Sequence, residues 1–246
     1  MLIALFADIH ANRQAFAACL AHARALPAQR IVLLGDYVGY GADPEWTVTT
    51  VMELVDQGAM AVRGNHDNAV GDARETLNVE AQIAMEWTRG ELGIAERTFL
   101  RELPLTLRDD DRLYVHADAT EPGSWRYIKD AEDAARSMNA TSARVTLCGH
   151  LHRPGLYTVG SGGGVTAFRP IAGTAIPLLS GRRWLAVIGS VGQPRDGNPS
   201  AAYALLDTER NELTFCRVPY DVDEAGRRIR EKGLPGWLAD RLARGT

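Results

Sequence analysis

Residues 2–10 read Leu-Ile-Ala-Leu-Phe-Ala-Asp-Ile-His, and this stretch sets a pattern that recurs along the chain. Leu2 to Ala7 is an apolar run without a basic leader, too short to cross a bilayer, and it reads as a buried strand rather than a targeting segment. It breaks at once into Asp8 and His10. If strand geometry continues through this i, i+2 pair, both side chains point to one face and can reach one cation. The same device appears four more times. Ile31 to Leu34 ends at Gly35-Asp36, and Ala59 to Val62 breaks into Arg63-Gly64-Asn65-His66-Asp67. Leu113 to Val115 delivers His116, and Val145 to Leu147 leads through Cys148 to Gly149-His150-Leu151-His152. Each strand ends where reactive side chains begin.

Helical patterns separate these strands. Phe16, Cys19, Leu20 and Ala23 share one face, and Asp43-Pro44 supplies an N-cap and a first-turn proline for a helix with Val48, Val51, Met52 and Val55 inside. Arg74 to Leu103, with Leu77, Ala81, Ala84, Trp87, Phe99 and Leu100, is helical with a break near Gly90 to Gly93, and Pro104 closes it. Another helix is expected near Asp130 to Met138. Beyond His152 the chain turns strand-rich: Leu156 to Val159, Val165 to Phe168, Trp184 to Ile188, Ala202 to Leu206 and Leu213 to Val218 suggest a second, antiparallel sheet. Ser161 to Gly164 and Asp207 to Asn211 read as hairpin connections. Asp223 is expected to cap a late helix, with Gly236 to Thr246 adding another or fraying. No linker or repeat interrupts residues 1–246, which read as one domain.

Composition narrows the class of protein. The 246 residues are 46% hydrophobic and 24% charged, ordinary for a globular protein. Lys+Arg 27 against Asp+Glu 31 gives a net charge of -4, which supplies no broad cationic field for nucleic acid or an anionic membrane. Cys19, Cys148 and Cys216 are odd in number, widely spaced and outside any Cys-x-x-Cys arrangement, which fits a reducing cytoplasm.

Five of the six histidines, His10, His66, His116, His150 and His152, stand at or just beyond strand ends. Carboxylate and imidazole together suit Zn, Mn, Fe, Co or Ni, while the absence of a cysteine pair argues for a catalytic rather than a structural site. Seven candidate ligands, Asp8, His10, Asp36, Asn65, His116, His150 and His152, exceed one tetrahedral ion but suit two ions sharing a carboxylate. Two metals ~3.5–4 Å apart can clamp the attacking and leaving oxygens of an in-line displacement at phosphorus.

The ordered blocks Asp8-Ile9-His10, Gly35-Asp36, Gly64-Asn65-His66-Asp67, His116 and Gly149-His150-Leu151-His152 resemble the calcineurin-like metallophosphoesterase superfamily. The stretch from Gly189 to Pro199 is similar to a small prokaryotic branch of it. The resemblance implies a four-layer α/β/β/α sandwich of two mixed sheets flanked by helices. It implies that Asp8, His10 and His152 bind a first divalent cation, that Asn65, His116 and His150 bind a second, and that Asp36 bridges them. It also implies a water or hydroxide between the ions as nucleophile on a small phosphomonoester or phosphodiester, with His66 assisting the leaving group. A departure accompanies the match: Gly39 and Tyr40 stand where the protein-phosphatase branch has aspartate and arginine, so the carboxylate that would orient His66 and a phosphate-binding guanidinium are both missing.

Other residues carry two readings each. Asn12 can touch a substrate phosphate or cap the helix beginning near Arg13; Arg63 can reach phosphate or pair with a carboxylate. Arg195 can replace the missing arginine or serve a turn. Asp67 reads as a helix cap, Trp125, Arg126 and Tyr127 as packing or pocket residues, His22 as a surface residue, and Cys148 as a core thiol. The alternative function is a metallophosphoesterase-like binding scaffold with little catalytic activity.

Overall fold

The apolar runs become strands because each is covered on two faces. In the computed structural model, which describes residues 1–72, 79–160 and 162–246, β1 (Leu2–Phe6) turns Ile3 and Leu5 to one hydrophobic cluster and Ala4 and Phe6 to another. Arg74, Leu77 and Ser161 lie outside the described residues. The chain continues through α1 (Arg13–Ala25), β2 (Ala28–Leu33), α2 (Pro44–Asp56), β3 (Met60–Ala61), α3 (Asn65–Gly71), α4 (Val79–Glu91) and α5 (Ile94–Glu102). Then come β4 (Thr106–Asp109), β5 (Arg112–Val115), α6 (Ala131–Asn139), β6 (Val145–Cys148), β7 (Gly155–Val159), β8 (Val165–Phe168) and β9 (Ala175–Pro177). The last elements are β10 (Arg183–Val187), β11 (Ala201–Asp207), β12 (Glu212–Val218), α7 (Val222–Glu231) and α8 (Gly236–Arg244).

Among the described residues the strands form two six-stranded sheets, ordered β3-β2-β1-β11-β12-β9 and β4-β5-β6-β10-β7-β8. Both are mixed: β1, β2 and β3 are parallel while β11 joins β1 antiparallel, and β5, β6 and β10 are parallel while β7 joins β10 antiparallel. Ile3, Leu5, Val32 and Phe215 from one sheet meet Val145, Leu147, Trp184 and Ala186 from the other in a shared core. Helices α1, α2 and α5 cover the outer face of the first sheet, around Phe6, Phe16, Val51 and Leu100, while α6 covers the second through Ala134 and Met138. The architecture is the four-layer α/β/β/α arrangement of two mixed sheets flanked by helices.

The expected separate antiparallel sheet beyond His152 is not formed. Those strands divide between both sheets: β7, β8 and β10 extend the one holding β5 and β6, whereas β9, β11 and β12 extend the one holding β1 and β2. Local pattern marks a strand but does not encode which open edge will accept it. The edge strands β4 and β9 lack the apolar run that reveals the inner ones. Asp221 rather than Asp223 caps α7, its carboxylate accepting from the Glu224 amide at 2.9 Å. Residues 236–244 are helical, and the α7–α8 pair packs with Ala81 and Ala84 of α4 over Tyr40 and Ala42. Asp43 precedes α2 as expected but makes no side-chain cap there; its carboxylate is gripped by both Nε and Nη2 of Arg228. Among the described residues no helix is long and apolar enough to cross a membrane. Cys19, Cys148 and Cys216 are buried free thiols.

Candidate metal centre

The parallel strands aim their C-terminal ends at one edge of the sandwich, the usual location for ligand sites in sheets of this kind. Asp8 follows β1, Asp36 follows β2, Asn65 follows β3, His116 follows β5 and His150 follows β6. The spacing argument for Asp8 and His10 needs correction, because strand geometry stops at Phe6. Asp8, His10, Asp36, His150 and His152 all sit in left-handed backbone conformation, with φ of 54°, 49°, 55°, 66° and 60°. Non-glycine residues adopt this conformation at a cost, and its concentration here means that surrounding structure enforces it. The loops, rather than strand alternation, turn these side chains inward.

The structure brings Asp8, His10, Asp36 and His152 into one group and Asp36, His116 and His150 into a second, the ligand atoms of each lying within 4.8 Å of one another. Asp36 belongs to both. Its Oδ2 lies 3.7 Å from His10 Nε2 and 3.3 Å from His116 Nε2. Asp8 Oδ1 is 3.3 Å from His152 Nε2, and Asn65 Oδ1 is 3.2 Å from His116 Nε2.

The tautomers follow from the outward-facing nitrogens. His10 Nδ1 donates to the Val38 carbonyl at 3.0 Å, and His152 Nδ1 to the Gln193 carbonyl at 2.7 Å. A carbonyl only accepts, so each Nδ1 carries the proton and each Nε2 presents a lone pair. These two Nε2 atoms face each other at 3.0 Å. The second group repeats the arrangement: His116 Nδ1 donates to the Leu34 carbonyl at 2.7 Å and His150 Nε2 to the Trp125 carbonyl at 2.8 Å, leaving His116 Nε2 and His150 Nδ1 at 3.1 Å. In the first group the two facing lone pairs, bordered by carboxylate oxygens, repel one another unless a cation lies among them. The donor set therefore fits divalent metal ions, with carbonyls orienting the imidazoles in the manner of metal sites.

Electrostatics point the same way. Burial holds His10 and His152 well below the ordinary imidazole range, aided by His152 and His66 for the first and by Arg195 for the second. Burial and then His116 push His150 down to about 3. These three imidazoles are thus neutral and able to ligate. His116 differs: burial opposes its charge, but Asp36 and Asp8 override this and raise it to about 9. Asp36 shows the converse, burial pushing it up while His116 and His66 hold it well below the carboxylate range. Burial, more than any neighbour, raises Asp8 to about 7.

Several supports were not legible in the sequence. Asp67, expected as a cap, sits in the first turn of α3; its Oδ2 accepts from the Asp36 and Gly64 amides at 2.8 and 2.9 Å and its Oδ1 from the Tyr37 amide at 2.9 Å. It welds the loop carrying Asp36 to the helix carrying Asn65 and His66. Ser190 and Gln193, in the Gly- and Pro-rich segment after β10, buttress the first group: Ser190 Oγ donates to the Asp8 carbonyl at 2.8 Å, and the Gln193 carbonyl orients His152. The Gly/Pro composition marked that segment, but not its contacts.

The remaining expected site residues separate clearly. His66 packs edge-on to His10 at 4.8 Å and against Tyr40 at 4.7 Å, and its buried Nδ1 has no hydrogen-bond partner among the described residues. Gly39 makes room for it, since a Cβ there would lie 2.3 Å from His66 Nδ1. Arg195 lies over the Tyr40 ring at 5.7 Å, and Gln193 Oε1 accepts from its Nε and Nη2 at 3.2 and 2.7 Å. Asn12, by contrast, has its amide engaged by protein groups and caps α1 as its second reading held: Oδ1 accepts from the Ala15 amide at 3.1 Å, and Nδ2 donates to the Gly192 carbonyl at 2.8 Å and Tyr220 Oη at 3.3 Å. The Arg63 guanidinium donates to the Arg101 carbonyl on α5, and among the described residues it is in no ion pair with a carboxylate. Tyr127 stacks on His150 at 4.2 Å, Arg126 pairs with the exposed Glu121, and His22 on α1 lies 2.6 Å from Tyr203 Oη. Cys148 is a core thiol.

With this geometry established, comparison with known proteins identifies the class. The profile of the calcineurin-like phosphoesterase superfamily domain matches residues 1–211, and the chain belongs to that superfamily. It is 31% identical over 248 residues to an uncharacterized protein of Methanocaldococcus jannaschii, the alignment covering 98% of this chain and 97% of that one. A metallophosphoesterase crystal structure from Sphaerobacter thermophilus is 34% identical with a TM-score of 0.88, covering 100% of this chain and 99% of its own. A hypothetical protein of Pyrococcus horikoshii shares the fold at 20% identity, with a TM-score of 0.82 and coverage of 100% and 98%.

Proposed function

We propose that this protein hydrolyses a small phosphate monoester or diester at a centre of two divalent cations drawn from Mn, Fe, Zn, Ni and Co. Asp8, His10 and His152 would hold one cation, Asn65, His116 and His150 the other, and Asp36 both. The observation that carries this reading is the convergence of the His10, His116, His150 and His152 ring nitrogens on the Asp8 and Asp36 carboxylates. When bound, such cations acidify water and neutralise charge developing on phosphoryl oxygens.

The chain's own residues supply the rest. The carbonyls of Val38, Leu34, Trp125 and Gln193 lock the four imidazoles in orientation and tautomer. His66, buried beside His10, would give a proton to the departing oxygen. Arg195, held by Gln193 above Tyr40, would bind phosphate in place of the arginine absent at position 40. Asn12 and Arg63 are left out of the substrate contacts. Residues 1–246 act as one domain in this reading, and three free buried thiols suit a reducing cytoplasm. Neither stable nucleic-acid binding nor membrane association is part of it.

The test is hydrolysis of p-nitrophenyl phosphate and bis(p-nitrophenyl) phosphate with Mn²⁺ and after chelation. Metal-stimulated turnover of at least one is expected, and Asp36→Asn should lower it by at least about 100-fold while reducing bound metal. Absence of turnover with either ester would favour a binding scaffold instead.

A further inference from the structure

A cleft of about 460 Å³ adjoins the metal centre, its walls including Tyr127, Lys129, Leu151, Arg153, Tyr157 and Arg195. It touches the centre at two points: Leu151 stands between His150 and His152, and the Tyr127 ring lies parallel to His150, at 13° between planes. Three cations line this cleft and no carboxylate does, in a chain whose net charge is -4.

Among the described residues, Lys129 and Arg153 are in no ion pair, while Arg195 is held by Gln193. Arg153 Nε donates to the Arg195 carbonyl at 2.6 Å, and among the described residues no ion pair engages its terminal nitrogens. Lys129 Nζ rests 5.3 Å from the centre of the Tyr127 ring. Asp133, on the same segment, accepts from the Lys129 amide at 2.9 Å and from Arg136 Nη1 at 2.7 Å, and Asp130 accepts from the Glu132 and Asp133 amides at 2.9 and 3.0 Å. A neighbouring cleft of about 540 Å³ shares Arg153 and Arg195, but there Arg217 is already neutralised by Asp196. Like charges gathered in one concavity that no carboxylate lines repel one another, and an anion entering it relieves that repulsion.

We propose that this cleft is a second phosphate subsite, so that the substrate carries one phosphoryl group at the metal centre and another that reaches Arg153 and Lys129. The inference deepens the phosphoesterase reading and rests on it for the identity of the first group. Arg195, lining the cleft and facing Tyr40, stands between the two positions. A substrate with a single phosphate would leave Arg153 and Lys129 unused.

The test uses a matched pair whose C–P bonds resist hydrolysis, butane-1,4-bisphosphonate and butylphosphonate, titrated calorimetrically into the Mn²⁺-loaded full chain. The bisphosphonate should bind at least about tenfold more tightly, since its second group gains charge-assisted contacts. In the Lys129→Ala/Arg153→Ala double variant, checked for native circular dichroism, the ratio should fall close to one. Each single variant should give an intermediate ratio. Equal affinities in the wild type, binding of neither compound, or a preference that survives the double substitution would overturn the subsite. Failure to hydrolyse the nitrophenyl esters would sink the phosphoesterase reading separately, while the affinity ratio still decides the cleft.

Discussion

At the scale of single residues, the centre depends on atoms that touch no metal. Gly39 has φ +86° and no space for a Cβ beside His66. Gly39→Ala should cost about 1–2 kcal/mol in stability from backbone strain and displace the imidazole. The expected signature is kcat at least about tenfold lower with metal content retained, read by elemental analysis beside steady-state kinetics. Asp67 is a different case, because three buried amides share its carboxylate. Asp67→Ala leaves those donors unsatisfied and should lower the urea unfolding free energy by about 3–5 kcal/mol while weakening metal binding. Unchanged stability would mean that the Asp36 loop is held by something else. Asp8, Asp36 and the four histidines were legible because apolar runs end on them. The role of Asp67 was not, since an aspartate three residues after a glycine reads as an ordinary cap until its contact with the Tyr37 amide, 30 positions away, is seen.

At the scale of elements, a partly buried ion pair ties the C-terminal helices to the edge that carries the candidate metal centre. Asp43, at the start of α2, has a side chain only 7% exposed and meets Arg228 of α7, while α7 and α8 cover Tyr40 and Ala42. Removing the cation strands a buried carboxylate, so Arg228→Ala should cost about 2–3 kcal/mol in chemical denaturation. A loss below about 0.5 kcal/mol would indicate that water replaces the guanidinium freely. Helices α1 and α2 were readable from their apolar stripes, and β1, β2 and β6 from their length and bounds. The edge strands β4 and β9 were not, because their exposed faces carry no apolar alternation. Nor was α3, a seven-residue helix whose start is stabilised by Asp67 rather than by an apolar face.

At the scale of the whole molecule, the candidate ligand groups come from both sheets. Asp8 and Asp36 follow strands of one sheet, while His116 and His150 follow strands of the other. Metal binding should therefore stabilise the sandwich as a unit. With Mn²⁺ in large excess over its Kd, Tm at pH 7.5 should rise by at least about 5 °C, and Asp36→Asn should remove most of the gain. Burial raises the Asp8 carboxyl to about 7, so at pH 5.5 a proton competes with metal for that carboxylate and the gain should shrink. Differential scanning calorimetry at the two pH values checks both; an equal gain at each would place the ion elsewhere.

The sequence by itself determined which segments are buried strands, because burial on two faces demands continuous apolar runs, and which side chains stand at their ends. It also determined the donor chemistry, since carboxylate and imidazole select hard-to-borderline cations whatever the fold. Tertiary structure decided the pairing of the late strands with both sheets, because strand partners are chosen by open edges far away in sequence. It decided the left-handed loops that turn Asp8, His10, Asp36, His150 and His152 inward, since only enforced packing holds non-glycine residues there. It also decided the cationic cleft beside them, because Lys129, Arg153 and Arg195 become neighbours only when β5, β6, β10 and the loops that follow them are folded together.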